Sequence, residues 1–351
     1  MPLLDLRWPR LVLTQLLKKS PVNLRPLLGV PPTVNSKGIA LFLSGFVKLR
    51  RAGLVERTLL EETKQRLVEM RCQGESEACW GYSFPWQTRT VLVPRNAPNL
   101  VATTYAANAL IDAFEDDGNA KHLELAASAA RYLCDRLLWS GPAVPASFAY
   151  PTPDARVPIH NANLLGAALL CRIYQHTGDQ QLLTVALEVA RYSVGCQAPD
   201  GSWAYGESPR QQWIDNFHTG FNLCALSTIG ACTPTREFES SLERGLAYFL
   251  ARFFRTDGAP CYFSNRCFPI DIHSAAQSII TLHSLRTVDQ SCDERARRVL
   301  DWTLAHMWSN EGYFYYQVRR LYAVKIPYMR WAQAWMLLAL ATMLNYPREG
   351  S

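Results

Sequence analysis

The chain has 351 residues, 48% apolar and 19% charged, with a formal net charge of +6. That balance excludes a disordered chain. The modest positive charge, densest at Lys48-Leu49-Arg50-Arg51, is no nucleic-acid footprint, and no apolar run reaches the roughly 18 residues of a membrane span.

At the N-terminus, Met1 to Trp8 lacks the charged, apolar and small-residue segments of a signal peptide. Residues 1–30 mix leucine with Arg7, Arg10, Lys18, Lys19 and Arg25. Such a segment either covers the first repeat as an amphipathic helix or rests on an anionic membrane surface as a peripheral contact. Residues 10–19 and 37–52 are expected to form a degenerate first pair of helices, since terminal repeats are often atypical. The ten cysteines contain no C-x-x-C pair, and Cys134, Cys171 and Cys224 fall inside apolar helical patterns. This cysteine usage suits a reducing, cytoplasmic setting.

From residue 57 onward helical periodicity dominates and strand-like alternation is nearly absent. Charged amphipathic helices are expected over 57–71, 120–138, 178–197, 236–255 and 291–308. They alternate with far more apolar helices over 99–114, 160–175, 217–231, 272–286 and 329–345. A helix apolar on nearly all sides must be enclosed by others. The two series therefore read as outer and inner helices. Six such hairpins make an all-α fold, a closed (α/α)6 toroid. The expectation is a single domain over residues 1–351, with 1–55 as an atypical N-terminal repeat.

A polar residue recurs at the start of each inner helix, about every 58 residues: Asn99, His160, His218, His273 and Arg330 are 61, 58, 55 and 57 apart. An aromatic loop precedes each start, as in Trp80-Gly81-Tyr82, Phe148-Ala149-Tyr150, Trp203-Ala204-Tyr205, Cys261-Tyr262-Phe263 and Tyr313-Phe314-Tyr315. These loops share one face of a toroid, where inner-helix N-termini converge with free N–H groups. The short polar links carrying Asp116 and Asp117 fall on the other face and are set aside.

Asp215 and Asp271 are spaced as N-caps, and each is followed by a histidine, His218 and His273. A carboxylate that fixes an imidazole's tautomer raises its basicity, so the two pairs are candidate acid and base. His160 starts another inner helix, and Glu207 is the carboxylate inside an aromatic loop, a candidate proton donor. A zinc site built from His160, His218 and His273 is conceivable but disfavoured, because repeat-related positions approach the axis from far apart; neither metal nor cofactor is expected. Candidate substrate contacts are the rings of Trp80, Tyr82, Trp86, Tyr105, Trp203, Tyr205 and Tyr328, the amides of Asn161, Asn163, Asn222 and Gln277, and the cations Arg89, Lys325 and Arg330. Flat rings suit the apolar faces of sugars, and the cations suit a carboxylate, sulfate or phosphate.

Gln197-Ala198-Pro199-Asp200-Gly201-Ser202-Trp203 resembles the Gln-Trp repeat of terpenoid cyclases, an α/α-toroid superfamily, although the cyclases' Asp-x-Asp-Asp motif is absent. Residues 23–29, 160–166, 213–220, 269–277 and 326–331 resemble a bacterial family found in polysaccharide biosynthesis gene clusters. That resemblance implies a glycan or glycolipid context. The expected function is a carbohydrate-active enzyme, an epimerase, lyase or glycoside hydrolase, acting on an oligosaccharide, polysaccharide or lipid-linked glycan. An isoprenoid cyclase or transferase, and a non-catalytic glycan-binding scaffold, are the alternatives.

Overall fold

A computed structural model describes residues 6–88 and 91–344. Six helices form the inner ring: α2 (Ser36–Arg51), α4 (Leu100–Asp117), α6 (His160–Thr177), α8 (Asn216–Cys232), α10 (Ile272–Ser284) and α12 (Ala334–Leu344). Each packs on the next, and α12 returns to α2, which closes the ring. Five outer helices lie against them: α3 (Arg57–Glu69) on α2, α5 (Ala120–Tyr132) on α4, α7 (Gln180–Gly195) on α6, α9 (Glu239–Arg252) on α8 and α11 (Ser291–Met307) on α10. This is the closed α/α toroid that the alternation of apolar and charged helices predicts.

Local chemistry sets the helix ends. Asn35, Asn99, Asp215 and Asp271 each accept a backbone N–H of the first turn, from Gly38, Ala102, His218 and His273, and so satisfy donors that a helix start leaves orphaned. Gly118 and Gly178 end α4 and α6 with φ of 72°, a left-handed conformation that suits glycine. Inner helices carry small and apolar residues on all sides, as in Ala106, Ala107, Ala109, Leu110 and Ile111 of α4, all buried.

The outer-to-inner loops gather on one face and are stitched together there. The first backbone N–H of α6, α8 and α10 donates to the carbonyl of a tyrosine in the following unit's loop: His160 to Tyr205, Asn216 to Tyr262 and Ile272 to Tyr316. Short strands reinforce these loops: β1 (Trp86–Gln87) with β2 (Leu92–Val93), β3 (Leu138–Gly141) with β4 (Val144–Phe148), and β5 (Ile270–Asp271), β6 (Gln317–Val318) and β7 (Ala323–Val324) in one antiparallel sheet.

The N-terminal helix differs from expectation. Helix α1 (Arg7–Lys19) does not pair with α2 as an outer helix but lies over the loop face. It touches β1, sets the Lys18 Nζ 5.5 Å from the Trp331 ring, and offers the Lys19 carbonyl to the Tyr322 hydroxyl at 3.0 Å. Residue 36 is where the ring begins, with α3 supplying the outer partner.

Candidate functional site

The mouth is built from inner-helix first turns. The second residue of a first turn points to the axis in several units: Lys37 in α2, Phe217 in α8 and His273 in α10. One helical turn further along, Tyr105 of α4 and Phe221 of α8 add two rings, and Trp335 of α12 completes the floor. The Lys37 Nζ lies 4.3, 5.6 and 5.1 Å from the ring centres of Tyr105, Phe221 and Trp335. Burial pushes this amine well below its ordinary value, and the Arg330 charge acts in the same direction.

His218, the third residue of its first turn, turns back onto the capping carboxylate. Its Nδ1 lies 2.7 Å from Asp215 Oδ2. The same oxygen accepts from Trp213 Nε1 at 2.9 Å. A hydrogen bond donated by Nδ1 to the Asp215 carboxylate places the ring proton on Nδ1 and leaves Nε2 as the ring's acceptor nitrogen. The Tyr205 ring packs 4.6 Å from the imidazole and stacks on Trp213 at 4.4 Å.

The expected second pair is not formed. Asp271 accepts the His273 backbone N–H, but its carboxylate is otherwise held by Trp331 Nε1 at 2.8 Å and Gln317 Nε2 at 2.9 Å. Its burial raises the carboxyl above its ordinary value, although the Lys18 charge opposes this. The His273 imidazole instead stacks on Phe217 at 4.6 Å and lies 4.4 Å from both Trp331 and Trp335. Both of its ring nitrogens are buried without a hydrogen-bond partner. Burial holds it well below the usual imidazole value, helped by the charge on Lys37, so it is a neutral base at neutral pH.

Asn161, Trp203, Tyr205, Asp215, His218 and Asn222, all anticipated from sequence, line one narrow crevice together with Ala204, Trp213 and Thr219, closed too tightly to hold a water molecule. The side-chain oxygens of Asn161 and Asn222 are buried and unpartnered, which is costly unless a ligand supplies donors. The crevice lies far below the roughly 300–1,000 Å³ of ordinary ligand clefts, and α1 covers the mouth beside it.

Other anticipated residues sit elsewhere. Trp80 is fully buried, with Nε1 donating to the Leu67 carbonyl of α3. Trp203 does the same to Ser193 of α7, so only part of its ring reaches the crevice. Both anchor a loop to the outer helix before it, a structural duty that leaves Trp80 no face for a substrate. Asn163 is likewise spent inside the fold, on the Phe148 N–H and the Ser147 and Ser193 hydroxyls. The Gln277 amide bonds Thr281 within α10, and Cys224 of α8 lies 3.5 Å away.

The rim carries Tyr82 and Trp86 with ring centres 5.7 Å apart, and Arg330 lies 5.1 Å over Tyr82. Lys325 is exposed, 5.0 Å over Tyr315. Tyr328 accepts a 2.6 Å hydrogen bond from Arg25 Nη1. Arg89 falls outside the described residues.

His160 faces Glu207 rather than the axis, with Nε2 2.7 Å from the carboxylate. The three histidines thus do not converge as metal ligands among the described residues. His160, Cys196 and Glu207 do place one ligand atom each within 4.8 Å of one another. Burial raises the Cys196 thiol above its ordinary value and so keeps it protonated, which counts against a thiolate metal ligand.

Sequence reasoning missed Lys37 and Lys18. Lys37 was discoverable: Asn35-Ser36-Lys37 occupies the same cap-and-first-turn positions as Asp271-Ile272-His273.

Neither a family model nor a curated protein matches the sequence. Solved structures do share the fold. A glycoside hydrolase family 76 mannosidase from Bacteroides thetaiotaomicron superposes with a TM-score of 0.69 at 14% identity, covering 90% of this chain and 88% of its own. Cellobiose 2-epimerase from Bacillus thermoamylovorans gives 0.66 at 11%, covering 88% and 87%. A D-mannose isomerase gives 0.62 at 12%, covering 89% and 86%. At such identities the likeness establishes the (α/α)6 toroid.

Proposed function

We propose that the chain is a carbohydrate-active enzyme that moves a proton at a sugar carbon, as an epimerase or isomerase does. The carrying observation is the buried Asp215 bound to His218 Nδ1, whose imidazole opens on a crevice with unpartnered amide oxygens. His218 Nε2 is the base. His273, neutral and unpartnered on the adjacent inner helix, is the second proton carrier. Lys37 is the amine beside it that donates a hydrogen bond to a developing oxyanion. In a C2 epimerisation, one imidazole removes the proton next to the open-chain carbonyl, giving an enediolate. A proton returned from the opposite face by the other histidine restores the aldose, so atoms and charge balance.

Two features favour this over hydrolysis, which uses two carboxylates flanking the bond. Asp215 and Asp271 are both engaged by neighbouring N–H donors and turned away from solvent. Glu207, the exposed carboxylate, is tied to His160. The polar lining of the crevice speaks against an isoprenoid cyclase. A scaffold gives no reason for a buried histidine whose two ring nitrogens have no partner. Fold neighbours named for sugar epimerisation and isomerisation support the same reading. The cations at the rim suit the phosphate of a lipid-linked glycan, and the family resemblance suits a role in polysaccharide biosynthesis in the cytoplasm.

Incubating the protein with reducing mono- and disaccharides in D2O tests this directly. Proton exchange at C2, followed by NMR, is the expected signature. His218→Gln lowers its rate by about 10²–10⁴-fold while preserving the fold. Release of new reducing ends without exchange overturns the proposal in favour of hydrolysis.

A further inference from the structure

The loop face carries a surface that the sugar chemistry does not use. On α1, Trp8, Val12 and Leu16 follow one another at intervals of four and so form one stripe, and all three are exposed, Trp8 at 70%. The opposite side of the helix, with Arg7, Arg10, Leu17 and Lys18, is the half-buried one. A surface helix ordinarily buries its apolar residues and exposes its charges; here Leu11, Leu13 and Leu17 are half-buried together with Arg7, Arg10 and Lys18, and a second apolar stripe is left exposed. The chain after it continues the exposed apolar surface through Leu27 and Leu28, at 84% and 46%. Leu321, at 91%, joins from the β6–β7 turn, where its neighbour Tyr322 bonds Lys19.

The described segments that form this surface carry charge of one sign. Residues 6–55 contain no aspartate or glutamate, and neither do residues 312–344. Lys19, Arg320 and Lys325 are exposed among the apolar side chains. Contiguous exposed apolar surface marks an interaction site. Exposed leucine and tryptophan interleaved with lysine and arginine match the boundary of an anionic bilayer, where acyl chains and acidic headgroups are offered together. A second copy of the chain fits poorly, since a two-fold contact would set these cations against themselves. No helix among the described residues is long and apolar enough to cross a membrane, so the contact is peripheral.

We propose that α1 and the segment after it form a lipid-docking surface that seats the mouth of the toroid against an anionic membrane. Trp8, Val12, Leu16, Leu27 and Leu321 enter the headgroup–acyl boundary, and the basic residues meet the acidic headgroups. The inference goes beyond the sugar reaction and stands on different residues.

Sedimentation of the protein with vesicles tests it without any substrate. Binding is expected to phosphatidylcholine vesicles containing phosphatidylglycerol, to weaken with added salt, and to be much weaker with phosphatidylcholine alone. The double variant Trp8→Glu/Leu16→Glu is expected to bind on the order of tenfold or more weakly. Its melting temperature should be unchanged, because no α1 side chain is fully buried. Leu304→Glu, an exposed leucine of α11, is expected to bind like the parent. Equal binding by the double variant overturns the proposal. So does failure of the parent to bind either vesicle, or light scattering that shows a dimer which the double variant dissolves. None of these outcomes bears on His218.

Discussion

Spacing by a single residue separates the two aspartate–histidine pairs. At Asp215 the histidine is the third residue of the first turn, the position from which a side chain reaches back to the cap, and Nδ1 meets the carboxylate at 2.7 Å. At Asp271 it is the second residue, about 100° round the helix, so the ring faces the axis and stacks on Phe217. The consequence is titratable. An imidazole ordinarily near 6.5 is held well below that by burial. As pH falls below about 6.5 the unfolded chain takes up this proton and the folded chain does not, so stability declines with acidification, by up to about 1.4 kcal/mol per pH unit. His273→Gln removes the effect. Its melting temperature is expected to fall less steeply than the parent's between about pH 7 and 5; parallel slopes would show that the ring is not sealed. Lys37 has the same sign. Its folded value lies well below 10.5, so burying the amine costs stability at neutral pH. Lys37→Met is expected to raise the melting temperature while lowering turnover, a stability–activity trade-off characteristic of catalytic sites.

Among elements, the inner helices α6 and α8 are approached closely by their surroundings because glycine leaves room. A Cβ on Gly166 of α6 would lie 2.6 Å from the Phe148 ring of β4, and one on Gly245 of α9 would lie 2.7 Å from the Trp203 ring and 2.8 Å from Leu223 of α8. Rings wedged in a core cannot retreat as an exposed chain can. Gly166→Val and Gly245→Val are each expected to cost about 1–3 kcal/mol, read by denaturant unfolding. Gly230→Val, whose Cβ would meet nothing within 4 Å, serves as the control, and equal losses at all three positions would refute the packing argument. This level of structure was the most legible in the sequence. The contrast between charged helices such as α11 and apolar ones such as α10 sorts outer from inner, and caps at Asn99, Asp215 and Asp271 fix the starts. Helix α1 was misplaced because its pattern of leucine and basic residues specifies an amphipathic helix but not which stripe faces the protein. Trp80 reads as a ligand contact in the sequence because a loop position beside glycine gives no sign that the indole turns inward, onto the Leu67 carbonyl.

At the scale of the whole ring, one side chain gathers most of the inner helices. Trp335, contributed by the last of them, meets Tyr105 of α4 and Phe221 of α8 at 5.5 Å each, His273 of α10 at 4.4 Å, and the Lys37 amine of α2 at 5.1 Å. Periodicity along the chain predicts the ring, but not this contact, since its partners are separated by as many as 298 residues and meet only through closure. In an open array of hairpins each unit leans on its neighbours alone, and stability is a sum of local terms. In a closed ring with a shared axial residue, damage at the C-terminus is felt everywhere. Trp335→Ala is accordingly expected to cost about 3–5 kcal/mol and to lower a single unfolding transition, with helical circular dichroism and tryptophan fluorescence moving together. If an early fluorescence change preceded the loss of helix, the hairpins would be unfolding independently. The same closure brings His273 against Phe217, the neighbour of His218, so a loosened axis is expected to abolish proton exchange at C2 before it abolishes the fold. In Trp335→Phe, which keeps a ring but shortens it, exchange should therefore fall by more than the change in melting temperature accounts for.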